Sequence, residues 1–400
     1  MENSLLTEAN RPSERSSILL VGSQMETGGS QRNLFSQAAW FHQHGHQVKV
    51  VFLYDKEGLH ESWQSLYAFP IINLNARRLG AGHIEAALRL LAGLLRGIKL
   101  VIWSQLAPVR RFDVIETFTH HPTLMMMPIA WAAGIPLRIA SHRGRIRDFP
   151  HILEKIHAWM INSRLVTAMV AVSEQVRLQS MEEGINTEKI VVIPNGLEIP
   201  SELNDANKQA LRLNLCGSLT TALVISVGRM NREKGHDLLI EAIPSILQNQ
   251  PDTCFIFAGD GYDRLKLEAL VNTLDIQNQV KFLGIRKDAV KLMAACDIFV
   301  LPSRSEGMPN ALLEAMGTGM AVVSYDVGGV SEVIHHGKNG LLVPPENTHI
   351  LADTIITLLQ NTPLRDRLGA KATETVMQSY SLESMCQKYS NLIHDASHKD

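Results

Sequence analysis

The chain has 400 residues, 45% of them apolar and 20% charged, a composition that excludes long disorder as the main state and allows two to three domains with sizeable cores. Lys and Arg number 38 against 40 Asp and Glu, so no overall positive field exists to hold nucleic acid, and none is expected as a partner. The balance is uneven, with 20 basic and 16 acidic side chains in residues 1–195 and 18 and 24 in residues 196–400.

The polar, acid-containing start does not read as a signal peptide. Residues 17–22 then predict a buried strand, followed by Gly28-Gly29 and by a helix with Ser30 at its N-cap. Leu34, Ala38 and Phe41 recur at helical spacing, Gly45 ends the segment, and residues 48–53 form the next strand. Strand, glycine loop, helix and strand make a βαβ unit, the building block of parallel sheets. The pattern returns at 112–117, 137–141 and 166–172. Residues 192–217 break the rhythm at the Pro194-Asn195-Gly196 turn. A second series of strands is predicted at 223–227, 254–258, 280–283, 298–301, 321–324 and 340–343. Two α/β domains follow, 1–195 and 196–380. The longest apolar run, 124–135, is too short to span a bilayer. Cys216, Cys254, Cys296 and Cys386 form no CxxC pair, which suits a reducing compartment, and a cytoplasmic protein is expected.

Four loops carry the chemistry. Residues 303–319 follow a strongly apolar strand, at the carboxyl end where open α/β sheets bind ligands. Pro309, after Met308, suits the first turn of a helix and would turn the amides of Asn310 and Ala311 outward as an anion site. Glu306 falls in the loop and Glu314 inside the helix, seven residues between them. Arg229 and Lys234 share an earlier strand-end loop, where a guanidinium fork and an ammonium suit a diphosphate. Gly259 and Gly261 flank Asp260 at a third, letting a flat ring approach the backbone. The fourth carries Gly328, Gly329 and Glu332. Each loop alone reads equally well as a solvated turn; four at one sheet edge point to a shared site.

In this order the four segments resemble the C-terminal domain of retaining nucleotide-sugar glycosyltransferases of family 4. The Glu-x7-Glu signature falls on Glu306 and Glu314, the "GR…KG" loop on Arg229 and Lys234, and "GGxxE" on Gly328, Gly329 and Glu332. The likeness is dense over 190–350 and loose elsewhere. It implies the GT-B fold, two Rossmann-like α/β domains facing across a cleft, with the C-terminal helix at about 381–396 packing back on the first. It implies a nucleotide-sugar donor, UDP-linked by default, and a saccharide or lipid-linked acceptor of bacterial surface or exported polysaccharide. Glu314 is implied to bind ribose hydroxyls, Glu306 to hold sugar hydroxyls, and Arg229 and Lys234 to neutralise the diphosphate. Gly28 and Gly29 resemble the family's first glycine loop. His142 ends a strand where relatives carry a histidine facing the cleft, and His120 stands in another loop often lined by histidine; either could equally be structural. Arg143, Arg145 and Arg147 form a basic cluster that is solvated or faces a phosphorylated acceptor.

No Asp-x-Asp triplet exists, so no obligatory metal and no cofactor are expected. A nucleotide-sugar epimerase or a glycosyl phosphorylase on the same architecture is an alternative, as is a catalytically silent binding subunit; the intact Glu306, Glu314, Arg229 and Lys234 argue against the last. Residues 84–99 read as an amphipathic helix with Ile84, Leu88, Leu91, Leu95 and Ile98 on one face and Arg89, Arg96 and Lys99 opposite, followed later by Arg110 and Arg111. Such a helix either covers the sheet or rests on anionic lipid as a peripheral membrane contact.

Overall fold

The structure, a computed structural model, describes residues 15–78, 80–106, 111–144, 150–200 and 202–397. Arg110, Arg145 and Arg147 lie outside the described residues, as do the first 14. The chain divides into two compact units: one runs up to Val172 and adds Arg177–Ile193 and the segment from Met385 on, the other holds Ser173–Val176 and Pro194–Ser384.

The first unit contains seven parallel strands, β1 Ser17–Met25, β2 Gln47–Asp55, β3 Ile71–Asn73, β4 Val114–Phe118, β5 Leu137–His142, β6 Ala168–Ala171 and β7 Ile190–Val192, in the order β3-β2-β1-β4-β5-β6-β7. Its helices are α1 Gly29–Gln43, α2 His60–Leu66, α3 His83–Leu106, α4 His120–Ala132, α5 His151–Asn162 and α6 Glu174–Glu182, whose first residues group with the second unit. Helix α1 begins one residue before Ser30, so the N-cap is Gly28, in extended conformation and without a side-chain cap, rather than Ser30.

Inside this unit Glu116, in the middle of β4, is fully enclosed. Its Oε2 accepts a 2.6 Å hydrogen bond from Gln37 Nε2. Burial raises its pKa to about 7, a rise that nearby Arg143 and the Gln37 hydrogen bond oppose.

In the second unit the strands are β8 Ala222–Val227, β9 Thr253–Ala258, β10 Val280–Phe282, β11 Ile298–Leu301, β12 Ala321–Tyr325 and β13 Leu341–Val343, ordered β10-β9-β8-β11-β12-β13 and all parallel. Helices α7 Asp205–Cys216, α8 His236–Asn249, α9 Arg264–Thr273, α10 Ala289–Ala295, α11 Asn310–Gly317, α12 Val330–Val333, α13 Thr348–Gln360 and α14 Thr362–Ser379 belong to it, and α15 Leu382–Ser397 begins in it. Helices cover the sheet, so its strands are apolar on both faces: Val224, Phe255, Phe257, Ile298, Val300 and Val323 form the core on one, and Ile225, Ile256, Phe299 and Val322 are buried on the other. Each such side chain contributes about 1.5–3 kcal/mol by leaving water.

Both sheets reverse their strand order at one place, between β1 and β4 and between β8 and β11. Open α/β sheets form a crevice at such a switch point, outside the carboxyl ends of the strands.

Helix α3 departs from the sheet-covering expectation. Its buried residues are Gly93, Gly97, Val101 and Ser104. A Cβ on Gly93 would stand 2.4 Å from Ala76 Cβ, and one on Gly97 3.2 Å from Met126 Sδ, so this narrow stripe brings the helix backbone against its neighbours. The leucine face points the other way, with Ile84 80%, Leu88 62% and Leu95 57% exposed. The basic face is not free either, because Arg89 pairs with Glu85 at 2.7 Å and Arg96 Nη1 donates to Leu74 O at 2.6 Å.

Candidate active site

In the second unit the loops after β8 and β11 flank the switch point. Asn231 Oδ1 accepts from the Lys234 amide at 3.2 Å and caps the single 3-10 turn Arg232–Lys234. That turn directs the ammonium across the crevice: Lys234 Nζ lies 2.5 Å from Glu306 Oε1. Ser303 Oγ donates to the same oxygen at 2.7 Å. The Glu306 side chain is 8% exposed and Lys234 24%. Arg304 stitches the two loops together, with Nη1 and Nη2 on the Asp237 carboxylate at 2.8 and 2.7 Å and Nη1 also on Arg232 O at 2.8 Å. Such a fork fixes geometry as well as charge. Arg229, in the same loop as Lys234, is exposed.

The helix after Glu306 starts at Asn310, with Pro309 as its N-cap rather than inside the first turn. No side chain caps it, and Pro309 O takes the amides of Leu312 and Leu313 at 3.1 and 3.3 Å. Met308 is buried, Asn310 and Ala311 are half-buried, and Glu314 is 6% exposed, so it is no solvated helical acid. Asn195, which the sequence marks only as part of a turn, holds this loop: its Nδ2 donates to Met308 O at 3.1 Å and to Asn310 Oδ1 at 2.9 Å.

The glycines bring the loops together through their backbones. A Cβ on Gly259 would stand 1.9 Å from Gly228 O, and one on Gly261 2.3 Å from Met230 O. A Cβ on Gly328, which holds φ +54°, would stand 1.9 Å from Glu306 O. Glu332 accepts from the Glu174 and Gln175 amides, both at 2.8 Å, and so caps the start of α6.

In the first unit the switch-point loops carry Gly28 and Gly29 after β1 and His120 after β4. Thr119 holds φ +76°, a genuine outlier for a β-branched residue, and its strained turn delivers His120 to the head of α4. His142, at the end of β5, is buried with both ring nitrogens engaged: Nδ1 with Ser180 Oγ at 2.8 Å and Nε2 with His120 Nε2 at 3.0 Å. The His157 ring packs 4.3 Å from that of His120, centroid to centroid. Burial pushes all three imidazoles down to about 3, helped by their mutual repulsion, so they are neutral at pH 7. Arg143 lies over the Phe118 ring at 4.8 Å, a cation–π contact.

Two family profiles match the chain in succession, Glycosyltransferase Family 4 over residues 27–199 and Glycosyl transferases group 1 over residues 217–375. The chain belongs to the group 1, family 4 type of glycosyltransferases. It is 27% identical to the alpha-D-kanosaminyltransferase of Streptomyces kanamyceticus over 265 residues, 63% of this chain and 68% of that one. Over 253 residues, 61% and 65% of the two chains, it is 26% identical to the UDP-Gal:alpha-D-GlcNAc-diphosphoundecaprenol alpha-1,3-galactosyltransferase of Escherichia coli. Two further relatives are spanned over only 46% and 54% of their length. Among solved structures, Alr3699/HepE of Anabaena, in complex with UDP and glucose, superposes with a TM-score of 0.83 at 22% identity, covering 95% of this chain and all of that one. The fold of this family 4 glycosyltransferase is GT-B.

Proposed function

We propose that this chain is a retaining glycosyltransferase that moves a sugar from a nucleoside-diphosphate sugar to a saccharide or lipid-linked saccharide in the assembly of bacterial surface or exported polysaccharide. The observation that carries the reading is the Lys234–Glu306 contact at the switch point, a cation and an acid held together by Ser303, Asn231 and Arg304. UDP is the default base, a choice supported by the Anabaena protein bound to UDP and glucose and by the UDP-galactose in the name of the Escherichia coli relative. The diphosphoundecaprenol in that name supports a lipid-linked acceptor.

Cleavage of the sugar–phosphate bond places positive character on the ring and negative charge on the departing diphosphate. Lys234 and Arg229 offset the second, and the Glu306 carboxylate favours the first. Lys234 and Ser303 both bond Glu306 Oε1, which leaves Oε2 to accept from a sugar hydroxyl. Glu314, buried inside α11, takes the ribose hydroxyls. For His142 the reading replaces His120 by a sugar or acceptor hydroxyl as the partner of Nε2. The diphosphate itself helps to deprotonate the acceptor, and the sugar keeps its configuration.

A thermal-shift panel of UDP, GDP and ADP and their sugars tests the donor. A ligand at a hundred times its dissociation constant stabilises by about 2.7 kcal/mol. Stabilisation by none of them would overturn the donor reading, and binding without turnover would favour a silent subunit. The outward leucines of α3 support a second element, peripheral attachment to a membrane; no helix among the described residues is long and apolar enough to cross one.

A further inference from the structure

We propose that His120, His142 and Glu183 form a binding site for a divalent transition-metal ion of the zinc class. The three residues come from the head of α4, the end of β5 and the turn after α6, yet one ligand atom from each lies within 4.8 Å of the other two.

The geometry suits such an ion. Zinc holds imidazole nitrogens at about 2.0–2.1 Å in tetrahedral sites, which sets neighbouring ligand atoms roughly 3.3 Å apart. The Nε2 atoms of His120 and His142 are 3.0 Å apart, a few tenths of an ångström from that spacing. Only the Glu183 carboxylate has to move in. The ligand set, two imidazoles and one carboxylate, is a zinc set with a fourth position for water.

The surroundings orient the ligands as they do around known metal centres. With His142 donating Nδ1–H to Ser180 Oγ, the lone pair falls on Nε2, the atom facing His120. His120 then donates its own Nε2–H to that lone pair, and on ligation its proton moves to Nδ1, so no net charge is lost from the ring. Thr119, held at φ +76°, fixes the approach of His120 from the backbone side. His157 walls the cluster with its ring against His120.

An ion seated here would compete with the hydroxyl proposed for His142 Nε2, making the site an inhibitory one; this consequence alone rests on the transferase reading.

The test uses the full chain, stripped with EDTA and dialysed. Zinc titrated by calorimetry should bind with one ion per chain at micromolar affinity or better, and cobalt should give the intense visible bands of a tetrahedral site. Glu183→Gln and His120→Gln should weaken binding at least tenfold while their melting temperatures in EDTA stay near wild type. Ser180→Ala, which keeps every ligand, should weaken it less and serves if either of the others fails to fold. Zinc should also lower turnover of the wild type, reversibly with EDTA, and spare Glu183→Gln. Absence of saturable binding, or equal affinity in wild type and variants, would overturn the site. Binding that follows the variants without any effect on turnover would keep the site and remove its inhibitory role, whereas failure of the nucleotide panel leaves the titration untouched.

Discussion

Lys234 Nζ stands 2.5 Å from Glu306 Oε1, although 72 residues separate the two in the chain. The pairing follows from topology: β8 and β11 are neighbours where the strand order reverses, so the loops that leave their carboxyl ends meet. Each partner holds the other in place before any substrate arrives, which is the preorganisation that charge stabilisation in a transition state requires.

Lys234→Ala is therefore expected to lower turnover by about 100- to 1000-fold, the range for losing one preorganised stabilising group. Nucleoside binding should change far less if, as proposed, the ammonium addresses the diphosphate, whose charge grows as the bond breaks. Steady-state rates with the donor, set beside calorimetry with the bare nucleoside, separate the two. Equal losses in both would assign Lys234 to general binding.

Glu314→Ala should weaken nucleotide binding by roughly 1.5–3 kcal/mol for each charged hydrogen bond lost to the ribose. Calorimetry with the diphosphate and with its 2′,3′-dideoxy analogue checks the role: the analogue should bind wild type and variant alike. An unchanged affinity for the full nucleotide would leave Glu314 a buried structural acid.

Gly328 and Gly217 both have positive φ, +54° and +72°, but a Cβ on Gly328 would lie 1.9 Å from Glu306 O whereas nothing lies within 4 Å of one on Gly217. Gly217→Ala should thus cost only the left-handed penalty of about 1–2 kcal/mol. Gly328→Ala should cost clearly more and impair catalysis, since the backbone of Glu306 must shift. Chemical denaturation of both variants decides, and equal costs would mean that the loops separate without strain.

Stability should carry an imprint of Glu116. Its pKa rises from 4.5 to about 7 on folding, chiefly through burial. The protonated form is the one the fold prefers, so this contribution is full below pH 4.5, shrinks as pH rises, and is gone above about 7. Its size is on the order of 3 kcal/mol at 1.36 kcal/mol per unit. Urea unfolding at pH 5 and pH 8 should show wild type losing stability relative to Glu116→Gln. A pH-independent difference would show that the carboxyl does not titrate in this window.

What the sequence makes legible follows its physics. Strands β8, β9, β11 and β12 are buried on both faces and read as continuous apolar runs, placed within a residue or two. Strands β3 and β7, three residues each at the sheet edges, do not mark themselves, although the equally short edge strands β10 and β13 are placed within a residue. Glu306, Lys234 and Arg229 announce themselves by spacing within loops, and Glu314 by its spacing from Glu306 inside α11. Asn195 and Arg304 act through hydrogen bonds to partners 67 or more positions away, and the cluster of His120, His142, His157 and Glu183 exists only once α4, α5, β5 and the turn after α6 are folded together. In α3 the leucines carry the strong periodic signal while the glycines make the packing contact, so periodicity alone points the wrong face inward.

That inversion sharpens the membrane test. Leu88, Leu91 and Leu95 lie one or two turns apart on the outward side of α3 and are all more than half exposed. Burial in an acyl boundary would contribute about 1.5–3 kcal/mol for each, enough for the three together to change partitioning by well over tenfold. Changing Arg89 or Arg96 would confuse the result, since Arg89 is tied to Glu85 and Arg96 to Leu74 O. The informative variant is the triple Leu88→Glu, Leu91→Glu, Leu95→Glu, whose side chains make no core and should leave the melting temperature unchanged. Flotation should carry the wild type up with anionic vesicles and leave the triple variant at the bottom. Wild type that floats with neither anionic nor neutral vesicles would remove the lipid reading. Equal flotation of both proteins would move the attachment to another surface, where the exposed Ile152, Ile156 and Trp159 of α5 are the next residues to change.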